Sequence, residues 1–259
     1  MSFASQDSEK TDALVAILKQ CNSILFITGA GISADSGLPT YRGIGGLYND
    51  KTTDEGVPIE VAISGQMMRS NPAFVWKYIY QIEAACRGAK FNRGHEVIAE
   101  MEKTFNRVWT LTQNIDGFHR DAGSKNLIDI HGDIHKLICT GCSRRSKVED
   151  FSNLKIPPYC LHCGALIRPE VVLFGELLPF QKCQLLATEL QRGFDIIFSI
   201  GTTSVFPYIA QPVLEARRRR IPTVEINPGQ TQVSDLVDIK VNAGAAEALD
   251  AIWNKYQNT

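Results

Sequence analysis

The amino-acid sequence predicts an α/β fold: a parallel sheet with helices on both faces, joined to a smaller second lobe. Three observations lead there. Short apolar runs, each ending in a polar or glycine-bearing loop, recur along the chain, as expected of strands buried on both faces in a helix-covered parallel sheet. The first run, residues 23–28, stops abruptly at Gly29-Ala30-Gly31, a glycine turn leading into a helix. Two stretches, 43–95 and 133–170, break the pattern and read as insertions that form the second lobe.

The elements follow in order. Residues 8–20 carry apolar residues at helical spacing, which predicts an opening helix. Residues 23–28 are a buried strand. Residues 43–95 are helical and loop-rich with little strand signal. Residues 108–112, 195–200 and 223–227 are further short strands, and 133–170 holds two CxxC pairs, many charges and Pro157-Pro158. A last helix is expected over 244–256, where Ala245, Ala248, Leu249 and Ile252 recur at 3/4 spacing. This assigns 1–42, 96–132 and 171–259 to a Rossmann-like domain, 43–95 to a helical insertion of the small domain, and 133–170 to its cysteine-bearing module. Arg217 to Arg220 end an expected helix and read as a solvated, dipole-favoured C-terminus.

At 259 residues, 44% hydrophobic and 21% charged, the composition is that of an ordinary globular protein that needs no disulfide staples. A formal net charge of -1 argues against bulk attraction to nucleic acid or a membrane surface, so no direct nucleic-acid binding is expected. The polar N-terminus has no basic segment followed by an apolar run, and no window approaches the roughly 18 apolar residues of a membrane span. The expected location is the cytoplasm.

Three constellations carry chemistry. Gly29-Ala30-Gly31-Ile32-Ser33-Ala34 fits a relaxed GxGxx(G/A) turn after a strand, which lets backbone N–H groups and a helix N-terminus approach a pyrophosphate. The acidic residue that holds an adenosine ribose in hydride-transfer enzymes is missing from its usual place, where Gly45 to Asp50 stand instead. Cys139-x2-Cys142 and Cys160-x2-Cys163 supply four thiolates for a tetrahedral zinc. Four cysteines leave no open position, so the metal is expected to be structural, with His162 a bystander and Cys21, Cys86 and Cys183 ordinary thiols. Finally, Gln113-Asn114-Ile115-Asp116 follows the second strand, and His131-Gly132 comes fifteen residues after Asp116. Gln, Asn and Asp there suit a carboxamide and ribose hydroxyls, and a histidine in such a place serves as a base near neutral pH. Alone, His131 would read as structural.

Together these residues resemble the sirtuin (Sir2-like) family of NAD-dependent protein deacylases, in its bacterial type. The likeness rests on GAGISADSGLPTYRG (29–43), TQNIDGFHRDAG (112–123), HG (131–132), the paired CxxC knuckles, RPEVVLFGE (168–176), IGTTSVFP (200–207) and INPG (226–229), in that order. It implies NAD as co-substrate, one structural zinc, and acylated-lysine proteins or peptides as partners. By resemblance, Gly29, Ala30, Gly31 and Ser33 cradle the NAD phosphates, and Tyr41 and Arg42 lie on a cofactor loop. Gln113 and Asn114 hold the nicotinamide ribose, Ile115 and Asp116 the carboxamide, and Gly201, Thr202, Thr203, Asn227 and Gly244 the adenosine half. Val172, Phe174, Gly175 and Glu176 take the substrate peptide in β-fashion.

The implied reaction has two stages. The acyl oxygen displaces nicotinamide from C1′ of the ribose, with Asn114 in attendance; His131 then takes a proton from a ribose hydroxyl so that the 2′-oxygen can accept the acyl group. The products are free lysine, nicotinamide and 2′-O-acetyl-ADP-ribose. The sequence departs from the family pattern at Tyr41, where Phe is usual, at Thr203 in place of Ser, and at Pro207, which comes one residue early. Residues 76–83 hold tyrosines but lack the Tyr-x-x-Arg of members that remove succinyl groups, so acetyl or another uncharged acyl group is expected. The rival readings are a desuccinylase or other deacylase, an ADP-ribosyltransferase on the same scaffold, a zinc-bearing binding module and an NAD dehydrogenase.

Overall fold

The computed structural model describes residues 6–40 and 52–259. Tyr41, Arg42 and the 45–50 stretch considered above lie outside the described residues.

The chain opens with α1 (Gln6–Leu18), β1 (Ser23–Thr28) and the short α2 (Ala30–Ala34). The helical stretch follows as α3 (Ile59–Ala62), α4 (Gly65–Ser70), α5 (Pro72–Cys86) and α6 (Arg93–Thr104). Next come β2 (Arg107–Thr112), α7 (Phe118–Asp121), β3 (Leu127–Asp129), β4 (Gly132–Cys139), β5 (Arg145–Lys147) and β6 (Ile167–Val171). The chain closes with α8 (Phe180–Arg192), β7 (Ile196–Ile200), α9 (Pro207–Arg218), β8 (Thr223–Ile226), β9 (Ile239–Val241) and α10 (Ala245–Gln257).

The larger sheet runs β3-β2-β1-β7-β8-β9, and every neighbouring pair is parallel. Alternation along β1 explains the two-layered cover. Ile24 and Phe26 pack with α1, α6 and α10 in one core, while Leu25 and Ile27 pack with α8 and α9 in the other. β1 and β7 are apolar over most of their length because both faces are covered, whereas β2 and β8 bury polar residues such as Thr110 and Glu225. The 3/4 spacing read in the last helix buries Ala245, Ala248, Leu249 and Ile252 on one side of α10. The chain leaves β1 toward β2 on one side and fills β7 to β9 on the other. A crevice therefore opens at the carboxyl ends of β1 and β7, the switch point where ligands bind in such sheets.

A second, antiparallel sheet, β5-β4-β6, was not legible in the sequence. Its outer strands β5 and β6 are short and largely exposed or half-exposed, and the longer central β4 (GDIHKLIC) interrupts its apolar residues with Asp133, His135 and Lys136, so the sheet carries little apolar signal. It shares a core with the helical stretch: Val75, Trp76 and Ile79 of α5 pack with Ile134 and Leu137 of β4 and with Phe151. The Trp76 indole also donates to the Ile167 carbonyl at 3.0 Å. At the other end of α9, Arg218 and Arg219 pair with Glu215 and Arg217 donates to the Leu236 carbonyl.

Candidate functional site

The glycine turn and the β7 loop meet backbone to backbone. The Gly31 N–H donates to the Gly201 carbonyl at 2.8 Å, and a Cβ on Gly31 would stand 2.5 Å from Gly201 Cα. Gly201 itself has a φ of +58°, a conformation that side chains disfavour. The glycines thus serve the contact between two strand ends as well as any approach to phosphate. The helix after the turn has only five residues, so its dipole adds less than the sequence suggested.

Around this contact the structure gathers one cavity of about 860 Å³. Gly29, Ala30 and Gly31 line it together with Gln113, Asn114 and Ile115. Gly201, Thr202, Thr203, Asn227 and Gly244 line it too, as do His131, Val172, Phe174, Gly175 and Glu176. An adjoining cavity of about 420 Å³ holds Ser33 and Asp116, and shares Ala30, Asn114 and Ile115 with the first.

Hydrogen bonds fix this wall. The buried Asn114 donates through Nδ2 to the Gly29 carbonyl (3.1 Å) and to Ser33 Oγ (3.2 Å). Gln113 Nε2 donates to Thr202 Oγ1 at 2.8 Å, and Asn227 Nδ2 to the Thr202 carbonyl at 3.2 Å. Asp116 accepts from Ser33 Oγ at 2.8 Å and from the Phe118 N–H at 3.0 Å. Removal from water still holds its carboxyl above the usual range, helped by the charges of Asp133 and Asp121.

His131 stands between β3 and β4. Its carbonyl accepts from the Val172 N–H at 2.8 Å, and Gly132 follows with a φ of +94° where a Cβ would lie 2.0 Å from the Glu170 carbonyl oxygen. That crowding explains the His-Gly pair. The ring is held at both nitrogens: Nδ1 lies 3.0 Å from the Gln113 carbonyl oxygen, and Nε2 lies 2.6 Å from the Tyr208 hydroxyl. A carbonyl only accepts, so Nδ1 carries the hydrogen and Nε2 keeps its lone pair. Burial, with Lys182 nearby, keeps the imidazole below its ordinary pKa and thus neutral near pH 7; the Gln113 bond acts the other way.

The 172–176 segment lies between the lobes. The Phe174 N–H donates to the Ile63 carbonyl and the Phe174 carbonyl accepts from Gly65 N–H. The Phe174 main chain is thus already engaged, which narrows the expectation that it pairs with an incoming peptide. Glu176 is clamped by Arg168 through two bonds of 2.6 and 2.9 Å.

The four cysteines converge. Their sulfurs lie within 4.8 Å of one another, with Cys139–Cys163 at 3.4 Å and Cys142–Cys160 at 3.8 Å. A tetrahedron with zinc–sulfur bonds of about 2.3 Å has edges of about 3.8 Å, so the set fits zinc. Backbone N–H groups of Gly141 and Cys142 point at Cys139 Sγ and favour its thiolate, pulling the thiol down to about 6. His162 is exposed and outside the cluster. Gly132 pairs with Val171 and Cys139 with Ile167, four residues along β6, so the thiolates lie at the opposite end of this sheet from His131, more than about 13 Å along it.

Sequence reasoning missed Tyr208, Phe206 and Leu178, which also line the large cavity. The one available signal for Tyr208 was the early Pro207, since proline suits the first turn of a helix and so sets where α9 begins.

Comparison with known proteins agrees with this arrangement. The sequence pattern described as the Sir2 family matches residues 29–207. A relative named NAD-dependent protein deacylase 2, from Pseudomonas aeruginosa, is 48% identical over 250 residues, covering 95% of this chain and 97% of its own. A solved Sir2 homologue mutant in complex with ADP-ribose superposes with a TM-score of 0.86 at 32% identity, over 95% of this chain and 96% of that one. A Sir2 variant with a deacetylated p53 peptide and 3′-O-acetyl-ADP-ribose superposes with a TM-score of 0.84 at 26% identity, over 98% of each chain. On the family match over residues 29–207, the 48% identity to that relative and these superpositions, the chain belongs to the Sir2 family.

Proposed function

We propose that this chain is an NAD-dependent protein-lysine deacetylase in which His131 is the general base. The observation that carries the reading is the tautomer of His131. Its Nδ1 hydrogen is spent on Gln113, so the basic lone pair is the one on Nε2, and the ring lies in the same cavity as the glycine turn, Gln113 and Asn114. Lysine acylation would be reversed by transfer of the acyl group to the ADP-ribose half of NAD, with nicotinamide released.

NAD enters as a co-substrate. In this reading Gly29, Ala30, Gly31 and Ser33 face its phosphates, and Gly201, Thr202, Thr203, Asn227 and Gly244 take the adenosine half. Gln113 and Asn114 hold the nicotinamide ribose, and Ile115 and Asp116 the carboxamide; Tyr41 and Arg42, outside the described residues, are kept as cofactor-binding residues by the sequence resemblance alone. His131 accepts the ribose-hydroxyl proton, and Val172, Gly175 and Glu176 contribute to the peptide groove beside Phe174. Zinc held by Cys139, Cys142, Cys160 and Cys163 ties β4 to the loop before β6 and takes no part in the chemistry. We read residues 43–95 and 133–170 as the small domain.

Ile63, Ile79, Ile82, Ile134, Val171 and Leu173 give the cavity an apolar wall, and no Arg or Lys is among its described lining residues. This supports an uncharged acyl group. Among the described residues no helix is long and apolar enough to cross a membrane, and none of the seven cysteines is in a disulfide, which suits a reducing cytoplasm. Incubation with NAD and acyl-lysine peptides, followed by mass spectrometry, tests the reading. Deacylated peptide with acylated ADP-ribose supports it. Stable ADP-ribose on protein, with no deacylation, would favour a transferase instead.

A further inference from the structure

The lone pair on His131 Nε2 is the one position at which this neutral ring can take a proton, and it is occupied. The Tyr208 hydroxyl sits 2.6 Å from it. A phenol can donate there, and an imine-type nitrogen has room for one good donor at a time. Any hydroxyl that His131 is to deprotonate must therefore take the place of the tyrosine hydroxyl. We infer that Tyr208 is a positioning residue whose hydroxyl holds the His131 lone pair in the free protein and is displaced by the ribose hydroxyl of NAD. This rests on His131 being the base.

The placement is built into the fold. Pro207 opens α9, and Tyr208 follows on its first turn. The Tyr208 ring stacks on Phe206, with centroids 5.5 Å apart at 14°, and both rings meet the His131 ring edge-on. Burial beside Cys183 pushes the Tyr208 phenol up to about 12, so it stays protonated and remains a donor. The other titratable groups that bear on His131 are Lys182, paired with Asp129 at 2.6 Å, and, through Tyr208, Cys183.

The displacement has a direction. A donor to Nε2 stabilises the neutral ring, so its loss should let His131 protonate at higher pH. Tyr208→Phe keeps the ring stack and removes only the hydroxyl. NAD binding to the full chain by calorimetry, and the His131 imidazole titration by nitrogen-15 NMR, should be compared for the parent, Tyr208→Phe, His131→Ala and the double variant. Tyr208→Phe should bind NAD about two- to tenfold more tightly, the range one net hydrogen bond gives, and raise the His131 titration midpoint. In the His131→Ala background the same change should leave NAD affinity where it was. Unchanged affinity and titration in Tyr208→Phe would overturn the inference, as would tighter binding that persists without His131. Failure of the base assignment shows separately: His131→Ala would then still deacylate peptide, whatever Tyr208→Phe does to binding.

Discussion

The Ser33 hydroxyl donates to the Asp116 carboxylate at 2.8 Å, joining the turn after β1 to the loop after β2 across 83 residues of sequence. Asn114 completes the triangle by donating to the same Ser33 oxygen at 3.2 Å. Replacing Asp116 by Ala removes a charged acceptor from a site that is mostly walled off from water. The Michaelis constant for NAD should rise about tenfold or more, the scale of a hydrogen bond to a charged group, and nicotinamide inhibition should weaken with it. Ser33→Ala should do less, since Asp116 keeps its Phe118 N–H bond. Steady-state kinetics with nicotinamide titration measures both; equal effects from the two variants would contradict the ordering.

His131→Ala should lower kcat for deacylation by roughly 10²–10⁴, the usual span for a general base. Because desolvation holds the imidazole below its ordinary value, the neutral base persists into mildly acidic solution. The acid limb of kcat/KM for NAD should therefore lie below 6.5. A pH profile breaking above 7 would assign the limb to another group.

The apolar wall around Ile79 and Ile82 should favour acetyl-lysine over succinyl-lysine. Among the described lining residues none is Arg or Lys, and burying a carboxylate without a cationic partner costs several kcal/mol, which corresponds to a kcat/KM ratio on the order of a hundredfold or more. Parallel assays on two otherwise identical peptides decide this, and faster desuccinylation would sink it.

Cys160→Ser should cost the protein its metal. Atomic absorption is expected to find one zinc per parent chain and less in the variant. The β5-β4-β6 sheet should loosen, seen as a lower melting temperature, and activity should fall with it although the thiolates are remote from His131. Full activity in a zinc-free variant would show that the metal does not hold the lobe.

A pair of buried histidines sets an acid limit on the fold. His95 and His119 stack edge-on at 4.8 Å; His95 Nε2 and His119 Nδ1 have no hydrogen-bond partner among the described residues. Burial takes His95 down to about 4 and His119 well below its ordinary value. The unfolded chain binds protons as pH falls through 6.5, but folded His95 resists until about 4. This stability is whole above 6.5 and is lost between 6.5 and about 4, on the order of 3 kcal/mol for His95 alone. Thermal melts over that range should fall more gently in His95→Gln, whose side chain cannot protonate.

Much of the molecule was legible in the sequence for a physical reason. The parallel strands are buried on both faces, so β1, β2, β7 and β8 announce themselves as short runs rich in strand-forming residues, and α10 does so by its spacing. The cysteine knuckles were legible because a single chain can present four thiolates only in a few local patterns. The glycine turn was visible, but not that Gly31 and Gly201 need each other, because that contact joins positions far apart in the chain. The same limit hid the β5-β4-β6 sheet, whose outer strands are short and whose central strand mixes apolar and charged residues without a clean period. It also hid the partners of His131: the chain's order puts a histidine after β3 beside a glycine and says no more. Its tautomer, and Tyr208 on its lone pair, follow from the packed fold, since hydrogen bonds to Gln113 and Tyr208 exist only once β2, α9 and the His131 loop converge.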